Sequence, residues 1–274
     1  MIQKRFAALV GILLIQSFSF AGTINYGART SSSYDFLDIN EVSSRETYLG
    51  GSTNPISTPS VLGNTLVFSP NTSLQVSTGS VANSTGNAID HASTAFGFKI
   101  RAKANQTIDQ LKIDMSGSYN LFSVNLGASS TSMAVVSINI PMNLQIFGVN
   151  GSIYAPATQL GFNLTVTPSS VTASANGIGN VVSPSGTWTG KWDGALKNGS
   201  FTKDLATIFD IPDMKITEML VTLTPDLNAF RTISDQNSAS IFLTNASFAV
   251  IPEPSTFSLA ALGFLAFLAR RRRL

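Results

Sequence analysis

His91 is the sole histidine of the 274-residue chain, so any nucleophilic or acid–base scheme built on imidazole has to run through it. Its neighbours Asp90 and Ser93 have the residue types of a hydrolase triad. Triad members converge from separate elements, however, and adjacency along one segment does not supply that convergence. Paired carboxylates of the kind a glycosidase uses are offered by Asp109 with Asp114 and by Asp210 with Asp213. Odd spacing puts the first pair on opposite faces of a strand, and Pro212 makes the second a turn. Only four Glu are present. The absence of Cys excludes disulfides, thiolate metal sites and thiol nucleophiles, and a single His excludes a His-rich metal site. No catalytic residue, metal or cofactor is therefore expected. Trp188 and Trp192, with Gly190 between them, share one face of a strand roughly 13 Å apart. Such a pair offers a platform for alternate sugars of a glycan. The competing expectation is that both rings pack in the core, as large aromatics commonly do.

The charge distribution excludes a further class. The chain has 17 Lys and Arg against 15 Asp and Glu, net +2. Six of the basic residues and one acidic residue lie in the two ends, which leaves 11 against 14 between Gly22 and Ile251, or −3. Charged residues are 12% of the chain, about half the usual share of roughly 25%. Nucleic-acid binding needs a dense basic surface, and none is encoded.

The first residues carry Lys4 and Arg5, then ten uncharged, largely apolar residues over 6–15, then Ser19 and Ala21 at the −3 and −1 positions of a cut before Gly22. This is the pattern of a secretory signal peptide over residues 1–21, cleaved between Ala21 and Gly22. At the other end stand Pro252, Glu253, Pro254, Ser255 and Thr256, an apolar stretch over 257–269, and Arg270, Arg271, Arg272 and Arg273. As helix the apolar stretch reaches about 20 Å; begun at residue 251 it reaches about 28 Å, close to the ~30 Å hydrocarbon core. A transmembrane helix is expected over about residues 255–270. Four Arg cross a bilayer only at high cost, so they hold the cytoplasmic side and leave Pro252, Glu253 and Pro254 at the outer boundary. The two prolines forbid regular helix there and keep the backbone extended and open to a protease.

Residues 252–274 resemble the PEP-CTERM protein-sorting signal of Gram-negative bacteria: the Pro-Glu-Pro-Ser-Thr sequence, the short apolar helix and the terminal Arg cluster all match. The resemblance implies that Pro252, Glu253 and Pro254 are recognised by an exosortase, a membrane-embedded cysteine transpeptidase-like enzyme. That enzyme cuts near the motif and releases or attaches the exported body, much as sortases treat their substrates in Gram-positive bacteria. It also implies that Arg270, Arg271, Arg272 and Arg273 hold the tail transiently in the inner membrane. The destination it implies is the cell surface or extracellular matrix, in the company of exopolysaccharide and biofilm components.

Between the ends, 36 Ser, 26 Thr, 20 Asn and 21 Gly accompany short apolar or period-two runs bounded by turn signals. Runs at 65–69, 94–101, 108–115, 117–124, 131–140, 144–149, 161–167, 186–192, 216–224 and 239–251 predict at least ten strands. Phe96, Phe98 and Ile100 share one face, and Asn150-Gly151 predicts a hairpin turn. The expected fold is all-β: one exported domain over 22–251 built as an antiparallel two-sheet β-sandwich, jelly-roll-like, between the signal helix and the transmembrane helix. Residues 203–209 are the one helical candidate in the body. Residues 28–60, rich in Ser, Thr and Pro, are expected to form a loosely ordered arm. The expected function is that of an exported, non-catalytic surface or matrix protein with a structural or adhesive role. The alternative is a carbohydrate-binding module for an extracellular polysaccharide, and the lesser alternative a secreted hydrolase.

Overall fold

The computed structural model describes residues 22–44, 59–68, 74–78, 87–127, 131–195, 215–232 and 237–251. The expected signal peptide, sorting motif, transmembrane helix and helical candidate at 203–209 lie outside these residues, as do Asp210 and Asp213.

The described residues are all-β. In chain order the strands are β1 (Gly22–Thr30), β2 (Tyr34–Ser43), β3 (Ser60–Leu62), β4 (Thr65–Phe68), β5 (Leu74–Ser77) and β6 (Ala88–Ala102). Then come β7 (Gln110–Asn125), β8 (Ser132–Asn139), β9 (Pro141–Val149), β10 (Ser152–Asn163), β11 (Thr165–Thr167) and β12 (Ser170–Ala175). The last are β13 (Asn180–Val182), β14 (Ser185–Ala195), β15 (Ile216–Leu223), β16 (Asp226–Arg231) and β17 (Ser238–Ile251). They form two antiparallel sheets.

The first sheet is organised around β6. Its second half pairs with β2 on one side and β15 on the other, continuing through β9 to β10, while its first half pairs with β16, then β8 and β12. Thus β15 with β16, and β9 with β8, act as long strands bent at one level. Pro225 and Pro141 stand at the bends, where a proline removes one ladder donor. The neighbouring strands bridge the breaks: Thr94 donates to Pro225 O at 3.1 Å, Thr224 to Pro141 O at 3.0 Å and Leu164 to Ile140 O at 3.0 Å. In the second sheet β7 pairs along its length with β17, and on its other edge with β14 and β13; β11 flanks β14, while β4 and β5 flank β17.

Inner faces of both sheets contribute to one core. Ala92, Phe96, Phe98 and Ile100 of β6 all point inward and are fully buried, as the alternation requires. Phe98 meets Phe248 of β17 edge-on at 4.7 Å, and Phe96 meets Phe68 of β4 at 4.9 Å, so the two sheets are joined ring to ring. Each such pair contributes about 0.5–1.5 kcal/mol beyond its area.

Residues 34–43 are not a loose arm. They form β2, internal between β1 and β6, because Tyr34, Phe36 and Ile39 enter the core at 0% exposure. A bulge at Asp38, φ 51°, shifts the alternation so that Ile39 faces inward. The serines at 31–33 make only the turn between β1 and β2.

Tyr34 carries a pH signature. Its hydroxyl donates to the Thr107 carbonyl at 2.8 Å, and burial, with the nearby Asp109 carboxylate as second cause, pushes its pKa from 10.0 up to about 12. The folded value lies above the unfolded one, so the stabilisation is complete below pH 10 and is lost as pH rises towards 12. Thermal unfolding followed across that window is expected to show a fall in stability of which Tyr34→Phe removes a part. An identical fall in the variant excludes Tyr34 as its source.

Candidate functional site

The second sheet delivers the tail. β17 ends at Ile251, opposite Gln110 of β7, and Pro252 follows at once. Val250 is the last core residue, 2% exposed, and donates its N–H to Asn64 O at 3.0 Å. Pro252 has no N–H with which to extend the ladder. The sorting motif therefore begins where the sheet stops, with no intervening linker.

Three segments of the first sheet meet at the same end. Ile108, in the turn between β6 and β7, donates to Ile216 O at 2.8 Å; Asn150 donates to Lys215 O at 2.8 Å, and Lys215 N–H returns to Asn150 Oδ1 at 2.9 Å. Asn150 and Gly151 both have positive φ, 51° and 78°, as a type I′ hairpin turn requires. Between these turns opens a cleft of about 1100 Å³ whose lining includes Arg101, Lys103, Gln106, Ile153, Lys215 and Glu218. Glu218, 8% exposed, accepts from Arg101 Nε at 2.9 Å and lies 3.5 Å from Lys99 Nζ. The hydrogen bond that Arg101 donates to Glu218 holds its guanidinium above the ordinary pKa, with Glu218's charge acting in the same direction. Lys99 also sits over the Phe147 ring at 5.4 Å. Lys103 is 3.6 Å from Asp35, and Lys215 has no ion pair among the described residues. Arg101 and Lys103 stand at the end of β6 and Lys215 just before β15, so no local motif announced the three together.

The outer face of the second sheet presents ordered hydroxyls. Register places Thr167, Thr189, Ser116 and Asn245 in one row across four strands, with Thr187 and Ser118 in the next. The three Thr are exposed, and strands stand about 4.8 Å apart, so the row is a regular array of donors and acceptors.

The residues singled out for chemistry are dispersed. His91 contacts Asp226 through Nε2 and Oδ1, not Asp90, whose carboxylate accepts the N–H groups of Ser77 and His91. Ser93 is buried at 2% exposure. Asp109 precedes β7 and accepts from Thr107 at 2.7 Å, whereas Asp114 lies on the strand's outer face, partly exposed. Trp188 and Trp192 do share a strand face, but it is the inner one. Trp188 has 0% exposure and donates its indole N–H to Phe242 O at 2.9 Å, while Trp192 is half-buried and stacks on Phe162 at 5.9 Å. A flat pair of exposed rings is not formed, because the pairing of β14 with β7 turns this face to the core.

No curated protein matches the chain. Among solved structures, the infectious bursal disease virus VP2 subviral particle aligns at 11% identity over 76% of this chain and 48% of the viral chain, with a TM-score of 0.09. The infectious bursal disease virus Gx strain structure aligns at 11% identity over 76% and 47%, with a TM-score of 0.10. The chain spans about half the length of these viral chains, and superpositions at that level carry no structural argument. Residues 250–273, in contrast, match the family described as the PEP-CTERM protein-sorting motif. This span starts at Val250, the last core residue, and runs into the Arg cluster. Over residues 250–273 the chain therefore carries a PEP-CTERM protein-sorting motif, and such a motif implies export, transient anchoring in the membrane and recognition by an exosortase.

Proposed function

We propose that the exported body is a jelly-roll-like β-sandwich without catalytic activity, acting as a structural or adhesive component of the cell surface or extracellular matrix, among exopolysaccharide and biofilm material. The observation that carries this reading is the hydroxyl face built from Thr167, Thr187, Thr189, Ser116, Ser118 and Asn245. Hydroxyl and amide groups both donate and accept, so they pair with a polyhydroxylated polymer at a modest gain per bond that adds up over a repeating array. Replacing Thr167, Thr187 and Thr189 together by Glu changes only exposed positions and is expected to leave the fold intact. Retention of the protein in washed matrix from its host should fall by about tenfold or more, at roughly 0.5–1.5 kcal/mol per lost bond. Unchanged retention, or turnover of a soluble polysaccharide by the purified protein, overturns the proposal.

A second reading, a carbohydrate-binding module, is favoured by one observation. A shallow cleft of about 610 Å³ is lined by Phe162, Asn143, Asn163, Thr222 and Thr224, an aromatic face among amides and hydroxyls. Polysaccharide binding that survives the three Thr changes and is lost in Phe162→Ala, with the fold retained, selects this reading over the first.

A further inference from the structure

We infer that the end of the body at Ile251 is a membrane-docking surface, on which the cleft holding Arg101, Lys103 and Lys215 rests against anionic phospholipid while the tail is still anchored. The inference rests on the tethered stage of sorting and adds an orientation to it. It starts from where the chain leaves the fold. Ile251 pairs with Gln110, and the intended membrane segment follows without a linker, so the turns beside Gln110 are held at the bilayer surface. Those are the turns that form the cleft, joined to it through Ile108 and Ile216.

Charge follows the same axis. Of the eight Lys and Arg among the described residues, seven lie in the half of the sheets nearest Ile251. The eighth, Arg231, is buried and pairs with Ala88 at the far end. This is unexpected in a body of net −3. Carboxylates occur in the near half too, but four are held: Glu218 by Lys99 and Arg101, Asp35 by Lys103, Asp109 by Thr107 and Asp193 by Gln110. The cleft lining has three cations to one carboxylate, net +2 locally. Beside them, Ile153 of the hairpin is 77% exposed and Ile251 38%. Exposed aliphatics next to cations match an interface whose outermost layer is phosphate and whose next layer is hydrocarbon.

Each Lys near an anionic surface is worth roughly a fivefold preference for the docked orientation, and the effect decays within a Debye length. That is weak for a free protein. It suffices for a tethered one, because the anchor supplies a high effective concentration.

The test uses the full chain, inserted through its tail into vesicles of phosphatidylcholine, with or without phosphatidylglycerol. The chain has no Cys, so Gln106→Cys and Ile178→Cys each accept a single fluorophore, the first at the cleft and the second in the turn before β13 at the far end. Headgroup-nitroxide lipid then reports proximity. The Gln106 probe should be quenched about threefold or more strongly in phosphatidylglycerol vesicles, with loss of the excess in high salt and in Lys103→Gln/Lys215→Gln, while the Ile178 probe shows no such excess. Equal quenching of the Gln106 probe in both lipids, or an excess that persists in the double variant, overturns the inference while leaving the tether intact. Failure of the chain to float with either vesicle overturns the tethered stage itself, and the inference with it.

Discussion

Gly117→Ala is expected to unfold the body or bring it close to unfolding. A Cβ at this position would stand 1.8 Å from the carbonyl oxygen of Phe242 and 2.4 Å from Nε1 of Trp188. Trp188 lies directly across from Gly117 in the ladder between β14 and β7, and its indole donates to that same Phe242 oxygen. The far end of a side chain can swing aside, but a backbone carbonyl in the β7–β17 ladder cannot. That ladder runs from Ser238 opposite Phe122 to Ile251 opposite Gln110 and forms the middle of the second sheet. Opening it at Gly117 should cost about 3–5 kcal/mol, against a total stability of about 5–15 kcal/mol for a typical domain. The urea midpoint of the purified protein measures the loss. Adding Trp188→Phe to the variant should not restore stability, since the carbonyl remains. Recovery to within about 1 kcal/mol of the wild-type value would identify the ring as the obstacle instead. Gly161→Ala, whose added methyl meets nothing within 4 Å, serves as the near-neutral control.

Replacing Pro252, Glu253 and Pro254 together by Ala is expected to leave export intact and to abolish processing. The three residues stand beyond the last hydrogen-bonded residue of β17, so their loss takes nothing from the core. It removes the two prolines that bar regular helix and, with Glu253, the residues of the matched sorting motif. The processed form should fall on the order of 100-fold, as when several central recognition residues are removed at once. Isoelectric focusing reads the result. A body cut before Gly22 and again before Pro252 carries about −3, whereas an exported variant that keeps its four Arg and lacks Glu253 carries about +1. Equal amounts of processed protein from the two chains would exclude these three residues as the recognition element.

Some of the architecture was readable from residue order because its cause is local. Phe96, Phe98 and Ile100 alternate with small or charged residues, so their shared burial followed from the two-residue period. Asn150-Gly151 marked a hairpin because few other pairs tolerate two positive φ values. Strands without such contrast were not readable. β12 and β13 have few large apolar residues, and their pairing partners supply the burial that their composition does not. The runs at 108–115 and 117–124 are one strand, β7, in which the Trp188 ring covers Gly117. Adjacency to Asp90 and Ser93 said nothing of the partner of the His91 ring: Asp226 arrives from a strand 135 residues away.

By itself the sequence determined the sorting motif over residues 250–273, a linear code whose meaning survives without a fold. It also determined that the body is built from strands, since alternation and turn chemistry act over a few residues. Only the tertiary structure decided which face of each strand is inside. A two-residue period says that Trp188 and Trp192 point the same way, but the side they point to depends on what β7 and β17 place beneath them. The same holds for the cleft: Arg101 and Lys103 close β6, and Lys215, distant in the chain, joins them because antiparallel pairing returns the start of β15 to the end from which the tail departs.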